Sequence, residues 1–150
     1  MTRTRRSRTL PVPPSAVWEY VGDPYSLPRW WPRVERVEQV TPGQFTEVLR
    51  SDRGRTMRAD HRLTEIEDAA RISWEQEVEG TPFARVMTYC ATTVTLEAVP
   101  DGGTKVQLER RQQMRGMARL GGFMIRRATG RVLDGALEQL ASQVAPAQPA

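Results

Sequence analysis

The chain has very little of what metal, redox and nucleophilic sites are built from. Its 150 residues include one cysteine, Cys90, and one histidine, His61. A single cysteine excludes an intramolecular disulfide, and one thiolate with one imidazole assembles neither a thiolate cluster nor a histidine-rich metal site. No apolar run approaches the ~18 residues of a membrane span, and the first twenty residues hold no apolar signal core, so a soluble cytoplasmic protein is expected. No Walker loop occurs. No G-x-G-x-x-G follows a strand, Gly116 with Gly121-Gly122 having the wrong spacing, and there is no G-x-S-x-G elbow. Nothing singles out a serine partner for His61, so a hydrolase triad has no support. No metal or cofactor is expected.

Lysine is also nearly absent: Lys105 stands against 21 arginines in a chain of net charge +4. The charge is unevenly spread. Residues 1–8 carry Arg3, Arg5, Arg6 and Arg8, and residues 110–131 carry seven arginines, with no acid in either segment; the remainder balances to −7. Two basic segments on an acidic body fit an anionic contact. They fit better strands whose arginines pair with Glu and Asp of their neighbours, since charge runs usually make a solvated face. The basic segments lack interleaved aromatics, so nucleic acid is not the expected partner.

What is present is a regular alternation of strands and turns. A first strand runs to Val12 and is stopped by Pro11, Pro13 and Pro14. Ser15 is placed to cap a helix over Ala16–Val21 that stops at Gly22, and Asp23-Pro24 starts a second short helix ending at Trp30-Trp31. Six strands follow: Val34–Val40, Phe45–Ser51, Thr56–Ile66, Arg71–Val78, Phe83–Val99 and Thr104–Met114. Asp52-Arg53-Gly54 and Pro100-Asp101-Gly102-Gly103 are hairpin turns. From about Met117 to Val144 two i, i+4 rows, one through Met124, Ala128, Val132, Ala136 and Leu140, the other through Ile125, Thr129, Leu133 and Leu137, make an apolar stripe. The expected fold is α+β, a curved seven-stranded antiparallel sheet wrapped around a long C-terminal helix, with two short helices between strands 1 and 2. One domain over residues 1–144 and a disordered Pro/Ala tail over 145–150 are expected. A bent sheet and one straight helix leave space between them, so an apolar cavity is expected too.

Pro11-Val12-Pro13-Pro14-Ser15-Ala16-Val17-Trp18-Glu19, then Asp23-Pro24 through Trp30-Trp31-Pro32, Val34 and Val37-Glu38, and finally Gly102-Gly103-Thr104-Lys105-Val106 resemble the START-like (SRPBCC) helix-grip superfamily. The resemblance covers residues 8–144. These are turn and packing signatures: they imply a helix-grip fold and an internal pocket for a hydrophobic ligand, and they set no chemistry. The superfamily spans lipid carriers, hormone receptors, ring-hydroxylase subunits and polyketide aromatase/cyclases.

Strand alternation nominates the pocket residues. In Thr56–Ile66, Met57, Ala59, His61 and Leu63 share a face and Arg58, Asp60 and Arg62 the other. An inward His61 is a general-base candidate or a hydrogen-bonded core residue. The competing register turns Arg62 inward, and Gly54-Arg55 through His61-Arg62 resembles the stretch in which the aromatase/cyclase branch holds polyketide carbonyl oxygens with an arginine. Without a bulge the two cannot both face inward. In Thr104–Met114, Val106, Leu108, Arg110, Gln112 and Met114 face inward, so Arg110 needs a carboxylate, water or anionic ligand, or reaches solvent at the open end. Trp74 is placed on the pocket wall with Ile72, Gln76 and Val78. Two registers compete around Thr88 to Ala91, which calls for a bulge and leaves Tyr89 facing either the ligand or the core edge. Trp30 and Trp31 stand at the expected cavity mouth, and Phe123 and Met124 near the start of the long helix.

The catalytic candidates are therefore His61, Arg62, Arg110 and Tyr89. The ligand-binding candidates are Trp30, Trp31, His61, Trp74, Tyr89, Arg110, Gln112, Phe123 and Met124. The first functional reading is binding of a small hydrophobic molecule of lipid, polyketide or isoprenoid type in an internal cavity. The alternative is a polyketide aromatase/cyclase or dehydratase-like enzyme. The sequence leaves the oligomeric state open, a homodimer included.

Overall fold

The structure, a computed structural model, describes residues 1–116 and 121–145. Seven strands, β1 (Thr2–Leu10), β2 (Val34–Thr41), β3 (Gln44–Arg50), β4 (Thr56–Glu67), β5 (Arg71–Gln76), β6 (Met87–Ala98) and β7 (Thr104–Met114), form one antiparallel sheet in the order β1-β7-β6-β5-β4-β3-β2. Between β1 and β2 lie α1 (Pro14–Val21), a 3-10 turn (Pro24–Ser26) and α2 (Leu27–Trp30), and α3 (Gly122–Val144) closes the chain. The curved sheet, its seven strands, the short helices and the long helix are as expected. No helix among the described residues is long and apolar enough to cross a membrane.

Local chemistry moves several boundaries. Ser15 does not cap α1: Pro14 takes the first helical position, where its missing N–H costs nothing, and the Pro13 carbonyl accepts from Ala16 N and Val17 N. Asp23 does cap, its carboxylate accepting from Tyr25 N at 3.0 Å. The expected strand from Phe83 begins only at Met87, because Pro82 sets a 3-10 turn over Pro82–Arg85. Arg71–Val78 ends as a strand at Gln76. The bulge expected near Thr88 lies between Met87 and Tyr89. It brings Met87 and Cys90 to the same buried side and turns Tyr89, paired with Gln113, to the other.

The β6–β7 hairpin shows where glycine is required. Gly102 adopts φ 92°, and a Cβ on Gly103 would stand 2.6 Å from the Leu10 carbonyl oxygen. That oxygen lies at the last rung of the β1–β7 ladder, Leu10 opposite Thr104, and the neighbouring Thr104 hydroxyl donates to Val12 O at 2.8 Å. Gly103→Ala is expected to destabilise by about 1–3 kcal/mol through overpacking, lowering the melting temperature by roughly 2–4 °C per kcal/mol. Thermal melts of the two proteins check it; equal midpoints would mean that β1 can shift at no cost.

The core lies between the concave face and α3. Leu10, Val17, Val21, Leu27, Ile72, Val94, Leu96, Val106, Leu108, Leu133, Leu137 and Leu140 fill one half of the bowl. The buried positions of α3 are Thr129, Gly130, Leu133, Ala136, Leu137 and Leu140. This corrects the i, i+4 rows. A helix turns roughly 100° per residue, so such a row drifts about 40° at each step. Met124, four steps before Leu140, therefore ends on the far side and is 72% exposed. Ala128 is exposed as well. The regular helix starts at Gly122, and Met117–Leu120 and residues 146–150 lie outside the described residues.

Candidate functional site

The registers order the concave face into rows. Phe45 pairs with His61, and His61 with Gln76. Leu63 pairs with Trp74, Trp74 with Thr92, and Thr92 with Arg110. Cys90 pairs with Gln112, and Glu47 with Ala59. Side chains alternate along each strand, so these residues share one surface. The bowl thus has an apolar half toward the middle of α3 and a second half floored by Glu47, His61, Gln76, Thr92, Arg110 and Gln112.

Aromatic rings run through this second half in contact. Trp30 and Trp31 pack edge to face with centroids 5.3 Å apart, Trp31 and Trp74 at 6.0 Å, and Phe45 and Trp74 at 5.9 Å. Phe45 stacks on the His61 ring at 5.1 Å and 22°. Trp30, Trp31, Trp74 and Phe45 are all buried. The Arg110 guanidinium lies 5.2 Å from the Trp31 ring centroid, and its Nε donates to the Thr92 hydroxyl at 3.1 Å. Indole face and hydroxyl together explain how a half-buried arginine is held without a carboxylate. Gln112 accepts from the Thr129 hydroxyl of α3 at 3.0 Å, which ties the helix to this floor.

The alternation of β4 resolves the choice between His61 and Arg62. His61 is 4% exposed and faces inward. Arg62 faces out, its side chain 59% exposed and paired with Glu75 at 3.3 Å. The β4–β5 bulge falls between Leu63 and Glu65, beyond both residues, so nothing brings Arg62 in. Tyr89 is turned away from Cys90 by the β6 bulge. Phe123 and Met124 stand at the surface, where with Arg127, Ala128 and Arg131 they line a shallow groove on α3. The structure thus brings together Trp30, Trp31, His61, Trp74, Arg110 and Gln112, and separates Arg62, Tyr89, Phe123 and Met124 from them.

One residue of the floor escaped the sequence reading. Glu47 is 4% exposed on the same face as Phe45, and its Oε1 stands 3.4 Å from His61 Nε2. The signal was there: in Phe45-Thr46-Glu47-Val48-Leu49 the alternation that buries Phe45 carries Glu47 inward. The carboxylate and the imidazole are close enough to interact but are not aligned as a hydrogen bond. Among the described residues neither nitrogen of His61 has a hydrogen-bond partner, nor do Glu47 Oε1, Gln76 Nε2, Trp74 Nε1 and Trp30 Nε1. Buried polar atoms are normally satisfied by protein, ordered water or a ligand, so this concentration along one wall makes it the candidate place for such a partner.

Two further features complete the site. Trp30, Trp31, Phe45, Trp74 and His61, each no more than 5% exposed and packed ring on ring, fill the space in which the sequence placed an apolar cavity. What reaches Phe45 and His61 is a cleft of about 130 Å³ beside the β2–β3 turn, between Gln39, Gln44, Asp60 and Glu77. Gln39 takes a left-handed φ of 52° where β2 slips register against β3, which bends the strand end at this cleft. Burial pushes the Cys90 thiol up, with Arg110 opposing and Glu47 reinforcing the shift, so Cys90 rests as a neutral thiol and no ready nucleophile. Among the described residues no three His, Cys, Asp or Glu groups converge to hold a metal ion.

Similar structures share this architecture. The protein XoxI from Bacillus cereus superposes with a TM-score of 0.75 at 18% identity over 96% of each chain. A START superfamily protein from Mycobacterium smegmatis gives 0.78 at 12% identity, covering 96% of this chain and 97% of the other. The di-domain ARO/CYC BexL from the BE-7585A biosynthetic pathway gives 0.78 at 25% identity, over 96% of this chain but 46% of that one. No curated protein sequence matches. The family model described as polyketide cyclase/dehydrase and lipid transport matches residues 1–145, and with the helix over its seven-stranded bowl the chain belongs to that family.

Proposed function

We propose that this chain binds a small, largely apolar, ring-bearing molecule with oxygen substituents in the half of the bowl floored by Glu47, His61, Gln76 and Arg110. The observation that carries this reading is the run of unpaired buried polar atoms beside stacked aromatic rings. Rings supply apolar contact to a flat ligand, and the polar atoms supply a few directed hydrogen bonds, the usual make-up of a small-molecule site. A plain hydrocarbon chain would leave those atoms unpaired, at about 1–3 kcal/mol each, which favours oxygenated ring systems over fatty acids. The family relationship supports the same class.

The test is tryptophan fluorescence titrated with a hydroxyanthraquinone and with a long-chain fatty acid, beside native mass spectrometry of freshly purified protein. The expected result is saturable one-to-one quenching by the anthraquinone, at least tenfold tighter than by the fatty acid. Failure of both probes to saturate, with no co-purified molecule, removes the proposal.

A specific observation favours a second reading, proton transfer on the bound molecule. Glu47 and His61 form an adjacent carboxylate and imidazole inside the same half-bowl. A neutral His61 imidazole would take a proton α to a ligand carbonyl while Arg110 polarises that oxygen, as an aromatase/cyclase of polyketides requires. BexL, whose name carries that activity, supports this reading. Incubation with a poly-β-ketone should then change the product pattern, and His61→Ala should abolish the change. Identical products with and without the protein would leave binding alone.

A further inference from the structure

The outward face of the sheet carries a feature that the ligand site does not use. Alternation turns Arg3 and Arg5 of β1, with Gln107, Glu109 and Arg111 of β7, to the convex side. The register sets Arg3 directly opposite Arg111, two like charges facing each other across a ladder, a destabilising arrangement. A single carboxylate mediates between them. Glu109 is contacted by Arg5 Nε at 2.5 Å, Arg111 Nε at 3.6 Å and Arg3 Nε at 3.8 Å. Three guanidiniums around one carboxylate leave two positive charges uncancelled. Arg71 closes the far side, paired with Glu65 at 3.3 Å.

With Thr93 and Thr95 these arginines line a groove of about 410 Å³. Its charged groups are four guanidiniums and one carboxylate that is already engaged, and the Thr95 hydroxyl and Gln107 amide can add donors, the Thr93 hydroxyl being shared with Ser73 at 2.9 Å. A doubly positive, donor-rich groove matches an acceptor-rich dianion, and the planar fork of arginine matches phosphate oxygens two at a time. The volume exceeds what a bare phosphate ion fills.

We infer that this convex-face groove is a phosphate site, taking the dianionic phosphate monoester of a small organic molecule. It lies on the opposite side of the sheet from the aromatic half-bowl, so it stands or falls separately from the ligand proposed there.

The experiment is calorimetric titration of the whole chain at low salt with adenosine 5′-monophosphate, adenosine, inorganic phosphate and a single-stranded oligonucleotide. The monophosphate should bind one to one and adenosine should not. Inorganic phosphate binding as tightly as the monophosphate overturns the monoester assignment. The double variant Arg3→Ala/Arg111→Ala should weaken binding at least tenfold. Glu109→Gln should tighten it several-fold, because it releases the guanidiniums from their carboxylate. Anthraquinone quenching should not change in either variant, which reports an intact fold. Binding of the oligonucleotide alone overturns the assignment, as does monophosphate binding that survives in the double variant.

Discussion

His61→Leu should destabilise the protein by about 1–3 kcal/mol, whereas the double variant Glu47→Leu/His61→Leu should be as stable as the parent or more stable. The asymmetry follows from burial. Both side chains are out of water, at 4% and 5% exposure, and stand 3.4 Å apart. Removing the imidazole alone leaves the Glu47 carboxylate facing Phe45, Ala59 and the new leucine with nothing to compensate its desolvation. Removing both lets Val37, Phe45 and Ala59 close over apolar surface. Urea unfolding with an unchanged m-value measures the difference. The double variant should also lose anthraquinone quenching. A stabilised protein that no longer binds would show that the pair is retained for the ligand. If the double variant still binds with parental affinity, the half-bowl is not the site.

Trp74→Ala should cost about 3–5 kcal/mol, the usual range for deleting a buried aromatic residue. At roughly 2–4 °C per kcal/mol this is a drop in melting temperature of about 10 °C. Trp74 is 2% exposed and joins Trp31 to Phe45, so its loss opens the row at the centre. Trp74→Phe separates packing from hydrogen bonding. It keeps much of the aromatic contact and deletes an indole N–H that has no acceptor among the described residues. Its stability should therefore fall by less than that of Trp74→Ala, by about 1–3 kcal/mol, since phenyl is smaller than indole and leaves a small void. Its affinity for the anthraquinone should fall about three- to tenfold if the ligand accepts from that N–H, one hydrogen bond's worth. Unchanged affinity in a stable Trp74→Phe protein would assign the indole to packing alone.

Much of this architecture is legible in the sequence. Gly102-Gly103 fixes a hairpin by backbone chemistry, Asp23-Pro24 starts a helical turn by capping, and period-2 alternation puts His61, Arg110, Gln112 and Trp74 on the inner face. These are local effects, decided within a few residues. Where the local signal was misread, the reason is also local. The i, i+4 row on α3 ignored its own 40° drift and carried Met124 into the core, and Pro82 shortened β6 at its start.

The site itself was less legible, because its chemistry depends on which strands become neighbours. His61 could be nominated from β4 alone, but its partner comes from β3. Nothing within five residues of Glu47 says that an imidazole will stand against it; the β3–β4 register does. The same holds on the other face, where the Arg3–Arg111 confrontation joins residues 108 positions apart and exists only because β1 closes the sheet beside β7. Sequence by itself determined the elements, their order and the faces of each strand, since turn stereochemistry and alternation are short-range. Only tertiary structure decided which charges meet and which polar atoms are sealed without a partner, since desolvation and Coulomb attraction depend on distance in space.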